Sequence, residues 1–217
     1  MRNVTKLLRS ARSTVARISG DEKGVTLIEF AFATPLFLSL TLTGLELANL
    51  ALSHMRVSQM AMTVADNAGR VTSGIDEANI QEVFEGAKVV AKGIDFEDNG
   101  RMVLSSLEEN GRSGSRQGQV IRWQRCFGND RTIDPAYGKE GDGKNDASLR
   151  DGIGYPAKIF AAPDTAVMFV EVQYTYQPLI WTEFFRDKVI RYESAFNVRG
   201  RQTNAISNGG GIPPSRC

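Results

Sequence analysis

Between Val25 and Leu45 the chain carries a single charge, Glu29, and the apolar run continues to Leu52 with only Glu46 added: VTLIEFAFATPLFLSLTLTGLELANLAL. About 20 apolar residues at a rise of about 1.5 Å cross a hydrocarbon core of about 30 Å. This stretch is therefore long enough to span a membrane as one helix, and it dictates how the rest of the chain must be arranged. Residues 1–24 hold Arg2, Lys6, Arg9, Arg12, Arg17 and Lys23 against Asp21 and Glu22, six cations against two acids. The chain as a whole is +1, so the +4 leader leaves −3 for the remainder. A basic segment placed directly before an apolar run sets membrane orientation rather than nucleic-acid binding. The expected topology is an N-terminus in the cytoplasm, one span over residues 25–53, and everything beyond on the far side of the membrane.

A cleaved secretory signal shares the basic and apolar parts, and Leu47-Ala48-Asn49-Leu50-Ala51 offers a weak cleavage site. The run is longer than the 7 to 15 residues usual for such a signal, which favours a helix that is kept. Two acids in the run need a reason. Glu29 lies five residues in, where an unpaired carboxylate is costly and commonly functional, although a headgroup-level position beside Lys23 would also keep it solvated.

Beyond the run, Met55 to Ala65 has apolar residues at mixed three and four spacing with no glycine until Gly69, so the helix is expected to continue to about residue 70. Pro35 is expected to kink or locally open it. A second helix is predicted from Asp76 to Lys92, with Ile80, Val83, Phe84, Ala87, Val90 and Ala91 on one face, Asp76 as its cap and Gly93 as its stop. Strand composition follows at Arg101–Leu107, Gln119–Arg125, Ala166–Tyr176 and Val189–Val198, with Gly111–Gly118 as a hairpin loop. The fold class read from this order is α+β: a long N-terminal transmembrane helix, then a head over residues 71–206 with one or two helices against a mainly antiparallel sheet. Residues 128–155 are rich in glycine, aspartate and asparagine and read as loop. The run Asp142-Gly143-Lys144-Asn145-Asp146 lacks the 12-residue calcium-loop pattern, and no metal ligands or cofactors are assigned. Residues 207–217 read as a flexible tail.

The two cysteines, Cys126 and Cys217, have no metal-binding or redox spacing. In an oxidising compartment they can close one disulfide that would pin the tail; otherwise they are two free thiols.

The junction Gly24-Val25-Thr26-Leu27-Ile28-Glu29-Phe30 resembles the processing site of type IV prepilins. The resemblance implies that a membrane prepilin peptidase cuts after Gly24 and that the new amino group of Val25 is met by Glu29 of a neighbouring subunit, an attraction that grows as the dielectric falls. With Phe30, Ala31 and Pro35, and then Gly44 and Glu46, the segment is similar to the TadE-like branch, minor pseudopilins of the tight-adherence (Flp, type IVc) pilus. Val170 to Leu179 is similar to that family's late strand. Residues 95–165 carry no family signal. The family implies a structural or assembly component with the membrane, a prepilin peptidase, other pilin or pseudopilin subunits and the pilus assembly platform as partners, and no nucleic acid.

An enzyme needs a group that attacks or titrates in a site. The lone histidine, His54, follows the apolar run directly, and there is no nucleophile elbow, phosphate-binding loop or metal signature. No catalytic residue is assigned. The competing function is a signal-anchored periplasmic binding or adhesin module that is not processed as a pilin.

Overall fold

The computed structural model describes residues 22–180, 182–201 and 203–217; nearly all of the basic leader lies outside them. The chain divides into two compact units, Met1–Leu47 and Ala48–Cys217. The first unit's described part is the opening of one long helix, α1 (Glu22–Arg70). The helix passes through Pro35 without a break. Proline removes one backbone donor there. Nearby, the Thr34 hydroxyl donates to the Phe30 carbonyl at 2.7 Å and the Thr41 hydroxyl to the Phe37 carbonyl at 2.8 Å. Among the described residues this is the one helix long and apolar enough to cross a membrane.

In the second unit the same helix becomes one-sided. Ser53, Val57, Met60, Ala61, Val64, Ala65 and Ala68 are buried, a stripe at the spacing that puts side chains on one face of a helix. Small residues dominate its C-terminal end, so the backbone can approach what it packs on. Helix α2 (Glu77–Val90) follows, and its start is a reciprocal cap: the Asp76 carboxylate accepts from the Asn79 amide at 2.8 Å, while the Asn79 side chain accepts from the Asp76 amide at 3.1 Å. This cap fixes the start one residue inside the sequence expectation; the C-terminal end comes at Val90, with Ala91 as the closing residue. Two short helices, α3 (Phe96–Asn99) and α4 (Thr182–Phe185), complete the set among the described residues.

Four strands, β1 (Gly100–Glu109), β2 (Gln119–Phe127), β3 (Ala166–Thr175) and β4 (Val189–Asn197), form one antiparallel sheet in the order β2-β1-β3-β4. The fold is α+β, as the order of segments predicts. The β1–β2 hairpin is closed by a loop holding a short 3-10 turn, Gly114–Arg116.

Both faces of the sheet are covered. On one face Met102, Leu104, Trp123, Met168, Val170, Val172 and Tyr174 join the buried stripe of α1 and the Ile80, Val83, Phe84, Ala87 face of α2. On the other, Leu107, Ile121, Val167 and Phe169 pack with Leu149, Ile153 and Ala161, which all come from the glycine-rich stretch between β2 and β3. A bulge lets β2 serve both cores. Ser106 pairs with Trp123 and Leu107 with Ile121, so Arg122 is extra, and the extra residue turns Trp123 and Ile121, two apart in sequence, to opposite faces.

Two ties fix the head. Arg125, 4 % exposed, donates from Nε to both carboxylate oxygens of Glu77 at 3.0 Å and from Nη1 to Glu140 at 2.9 Å. It joins β2 to the first turn of α2 and to the long loop; removal of one partner of such a buried pair costs roughly 3 to 5 kcal/mol, because the other charge is stranded. Cys126 and Cys217 form a disulfide across 91 residues. Beside it the Cys126 amide donates to the Ser215 carbonyl at 2.7 Å, and an Arg101 Nη2 donates to the Cys217 carbonyl at 3.1 Å.

Candidate functional site

The expected processing and assembly residues Gly24, Val25, Glu29, Phe30, Ala31, Pro35, Gly44 and Glu46 all fall on α1. Gly24 is helical and exposed, and a Cβ built there meets nothing. Val25 and Glu29 are four residues apart and share a helix face. Both are exposed, as are Phe30 and Ala31. The whole apolar run presents large side chains outward: Phe32 is 78 % exposed and Leu40 66 %. A helix that is apolar all round must be covered by a membrane or by other apolar helices. Gly44 is open in the same way as Gly24, leaving a bare patch of backbone along the run. Glu46 differs from its neighbours Leu45 and Leu47, because it is fully buried while they are about half exposed. The motif is spread along the axis. From Gly24 to Glu46 it extends about 33 Å at about 1.5 Å per residue, so Val25 and Glu46 lie at opposite ends of the run.

His54 stands on α1 in the second unit, its Nδ1 3.3 Å from the Tyr192 hydroxyl and its ring edge-on to the Tyr192 ring. That contact makes it a packing partner of β4. Three residues after Glu46, the Asn49 side chain donates to the Tyr176 hydroxyl at 2.8 Å.

The head holds one polar cluster that sequence reasoning does not anticipate. Glu171 on β3 lies directly opposite Glu193 on β4. The long loop supplies the compensating donors: the Ala136 amide to Glu171 at 2.8 Å, the Tyr137 hydroxyl to Glu193 at 2.5 Å and the Tyr155 amide to Glu193 at 3.0 Å. A cavity of about 80 Å³ beside them is lined also by Arg101 and Arg191. Burial pushes the Glu171 carboxyl up to about 7, with the Ala136 bond pulling it down and the Glu193 charge adding to the rise. Burial likewise raises the Tyr137 hydroxyl, reinforced by its bond to Glu193. Nothing in the primary sequence marks this pair, since 22 residues separate its members and the donors come from a segment without periodicity. The cluster is a hydrogen-bonded clasp between loop and sheet.

The acidic loop residues also serve the loop itself. Asp142 accepts from the Lys139 amide and Asp146 from the Ser148 amide, each at 2.8 Å, while Asn145 accepts from Arg112 at 2.6 Å. Among the described residues no group of three or more histidine, cysteine, aspartate or glutamate side chains is arranged to hold a metal ion.

Compared with known proteins, residues 24–66 match the model of a family described as TadE-like protein. The match opens on Gly24, covers the entire apolar run and continues into the buried stripe of α1. No curated protein and no solved structure matches the chain. Over this segment the chain is similar to a family of pilus-associated structural and assembly proteins.

Proposed function

We propose that this chain is a pseudopilin-like structural or assembly component of a tight-adherence (Flp) type IV pilus, cut after Gly24 by a prepilin peptidase and held in the inner membrane by α1. The observation that carries the reading is the coincidence of three boundaries. The family match begins at Gly24, the charged leader stops at Lys23, and the outward-facing apolar surface of α1 starts at Val25. A cut at that point removes the cations and keeps the helix, which is what a subunit that must leave the bilayer and enter a helical bundle requires.

In this reading the leader is cytoplasmic and the head is periplasmic by the positive-inside rule, and the disulfide suits that oxidising compartment. The open backbone at Gly24 suits a protease cleft that needs close approach. The freed Val25 amino group is neutralised by Glu29 of a neighbouring subunit, because in a medium of low dielectric an isolated cation is costly and a paired one is not. Its Gly44 face gives a neighbouring helix room to approach. Its partners are the peptidase, other pilin or pseudopilin subunits and the assembly platform.

The test is Gly24→Leu expressed in the native background, with chain length read by immunoblot and pili counted by electron microscopy. The reading expects the variant to stay full length in the membrane and pili to be lost or scarce. A chain that is full length before as well as after the substitution, with pili unaffected, would instead favour a signal-anchored binding module.

A further inference from the structure

The two edges of the sheet are finished differently. On β2 the chain itself takes up the outward backbone: the Ile121 amide donates to the Asp142 carbonyl at 3.1 Å, the Gly141 amide to the Ile121 carbonyl at 2.8 Å and the Cys126 amide to the Ser215 carbonyl at 2.7 Å. On β4 the even-numbered positions bond β3, as both ends of that ladder show. The Tyr176 amide donates to the Lys188 carbonyl at 2.8 Å, and the Val198 amide to the Ala166 carbonyl at 2.9 Å. Bonded positions alternate along an antiparallel ladder, so the amides and carbonyls of Val189, Arg191, Glu193, Ala195 and Asn197 point away from β3. No described residue bonds them.

Folded chains commonly blunt such an edge with a bulge, a proline or a very short strand. β4 has none of these: it is 9 residues long, its register with β3 is continuous, and it contains no proline. Its charges are Arg191 and Glu193, two positions apart, both exposed and on the same side of the strand. Among the described residues Arg191 makes no ion pair. One Glu193 oxygen accepts from the Tyr137 hydroxyl and the other from the Tyr155 amide, and each can accept once more. Those loop residues flank the middle of β4 on one face. On the other, His54 stands 3.3 Å from the Tyr192 hydroxyl.

We infer that β4 is a docking edge for an extended segment of a partner protein, added antiparallel beside it, with a basic residue facing Glu193 and an acidic residue facing Arg191. Main-chain bonds at the odd-numbered positions supply the attachment, as in other strand additions. The charge pair sets the register, because a slip of two residues sets like charges opposite each other. A lone strand suits this edge better than a second head does, because both faces at its middle are already flanked. The inference concerns the head alone and stands whether or not the chain is cut after Gly24.

The probe is a monomeric nine-residue peptide of alternating threonine and valine with Lys-x-Glu at its centre, the order that antiparallel pairing requires. It is added to the detergent-solubilised full chain, and backbone amide exchange is followed residue by residue. The expected result is slowed exchange at Arg191, Glu193 and Ala195, while Ile190 and Tyr192 are slow with or without peptide. N-methylation of the peptide's Lys and Glu amides should abolish binding, and N-methylation of the residue between them should not. Arg191→Glu should weaken this peptide about fivefold and prefer one carrying Lys-x-Lys. Ala195→Pro removes an outward amide and leaves the bonds to β3 in place; it should abolish binding. Fast exchange at the odd-numbered positions at millimolar peptide overturns the inference, as does slow exchange there without peptide. Protection that follows the concentration of the chain itself also overturns it, and assigns the edge to a second copy.

Discussion

In the first half of α1 Phe32, Leu36 and Leu40 are between 63 and 78 % exposed, whereas in its second half Val57, Met60 and Val64 are at 0 %. The backbone geometry is the same and the side chains are of similar kinds. What differs is the remainder of each turn. Around Val57 and Met60 stand Arg56, Ser58 and Gln59, so one stripe can be buried and the other face left to water. Around Leu36 and Leu40 stand Phe37, Leu38 and Leu42 with uncharged hydroxyl residues between them, and no single stripe could cover them. The contrast shows that one helix can be built for two surroundings, one supplied by the chain's own head and one that must come from outside the chain.

The sharpest way to isolate the head's share is to open its disulfide. Closing a loop of this length stabilises by roughly 4 to 5 kcal/mol in the chain-entropy account. Cys126→Ala/Cys217→Ala, or reduction, should lower the unfolding free energy of the detergent-solubilised protein by that much and its denaturant midpoint accordingly, read by the fluorescence of Trp123. Membrane insertion by α1 should be unaffected. A head whose midpoint does not move would show that the hydrogen bonds around Ser215 and Arg101 already hold the C-terminal segment.

The next effect sets the two halves of α1 side by side. Met60→Ala leaves a cavity in the head core and should cost about 3 kcal/mol in the same unfolding measurement. Leu38→Ala, on the outward-facing half, should change it by less than about 0.5 kcal/mol. Equal losses would mean that the apolar half is part of the head's cooperative unit.

The smallest expected effect concerns the Glu171 clasp. Its carboxyl is raised to about 7 in the fold against about 4.3 in an unfolded chain. Between those values the folded state holds the proton more tightly, so stability is fully present below about 4.3 and declines as pH rises through about 7, by roughly 2 kcal/mol after allowance for solvent screening. Glu171→Gln should flatten that decline in a pH series of unfolding curves. A decline of the same size in the variant would assign it to other groups.

Much of the architecture is legible in the residues. The unbroken apolar run specifies α1, Asp76 with Asn79 three residues on specifies where α2 starts, and the alternation in Met168 to Tyr174 specifies β3. The second core is not legible. Leu149, Ile153 and Ala161 are spaced irregularly among glycines and aspartates, so no period of two or 3.6 reveals that they cover a sheet face. The Arg122 bulge hides a change of face in β2 in the same way, and the Glu77–Arg125–Glu140 network joins residues 48 and 15 positions apart with no local signature. For the candidate site, the positions on α1 follow from sequence because they lie on one continuous helix. The Glu171–Glu193 clasp depends on sheet register and loop placement, which only the folded chain supplies.

The central claim is that the boundary at Gly24 separates a removable leader from a retained helix, and intact mass with N-terminal sequencing of the membrane-extracted protein tests it most directly. The account predicts a chain that begins at Val25, with Val25 to Cys217 complete. A chain that begins at Met1, or one that begins near residue 50 and has lost the helix, would contradict it.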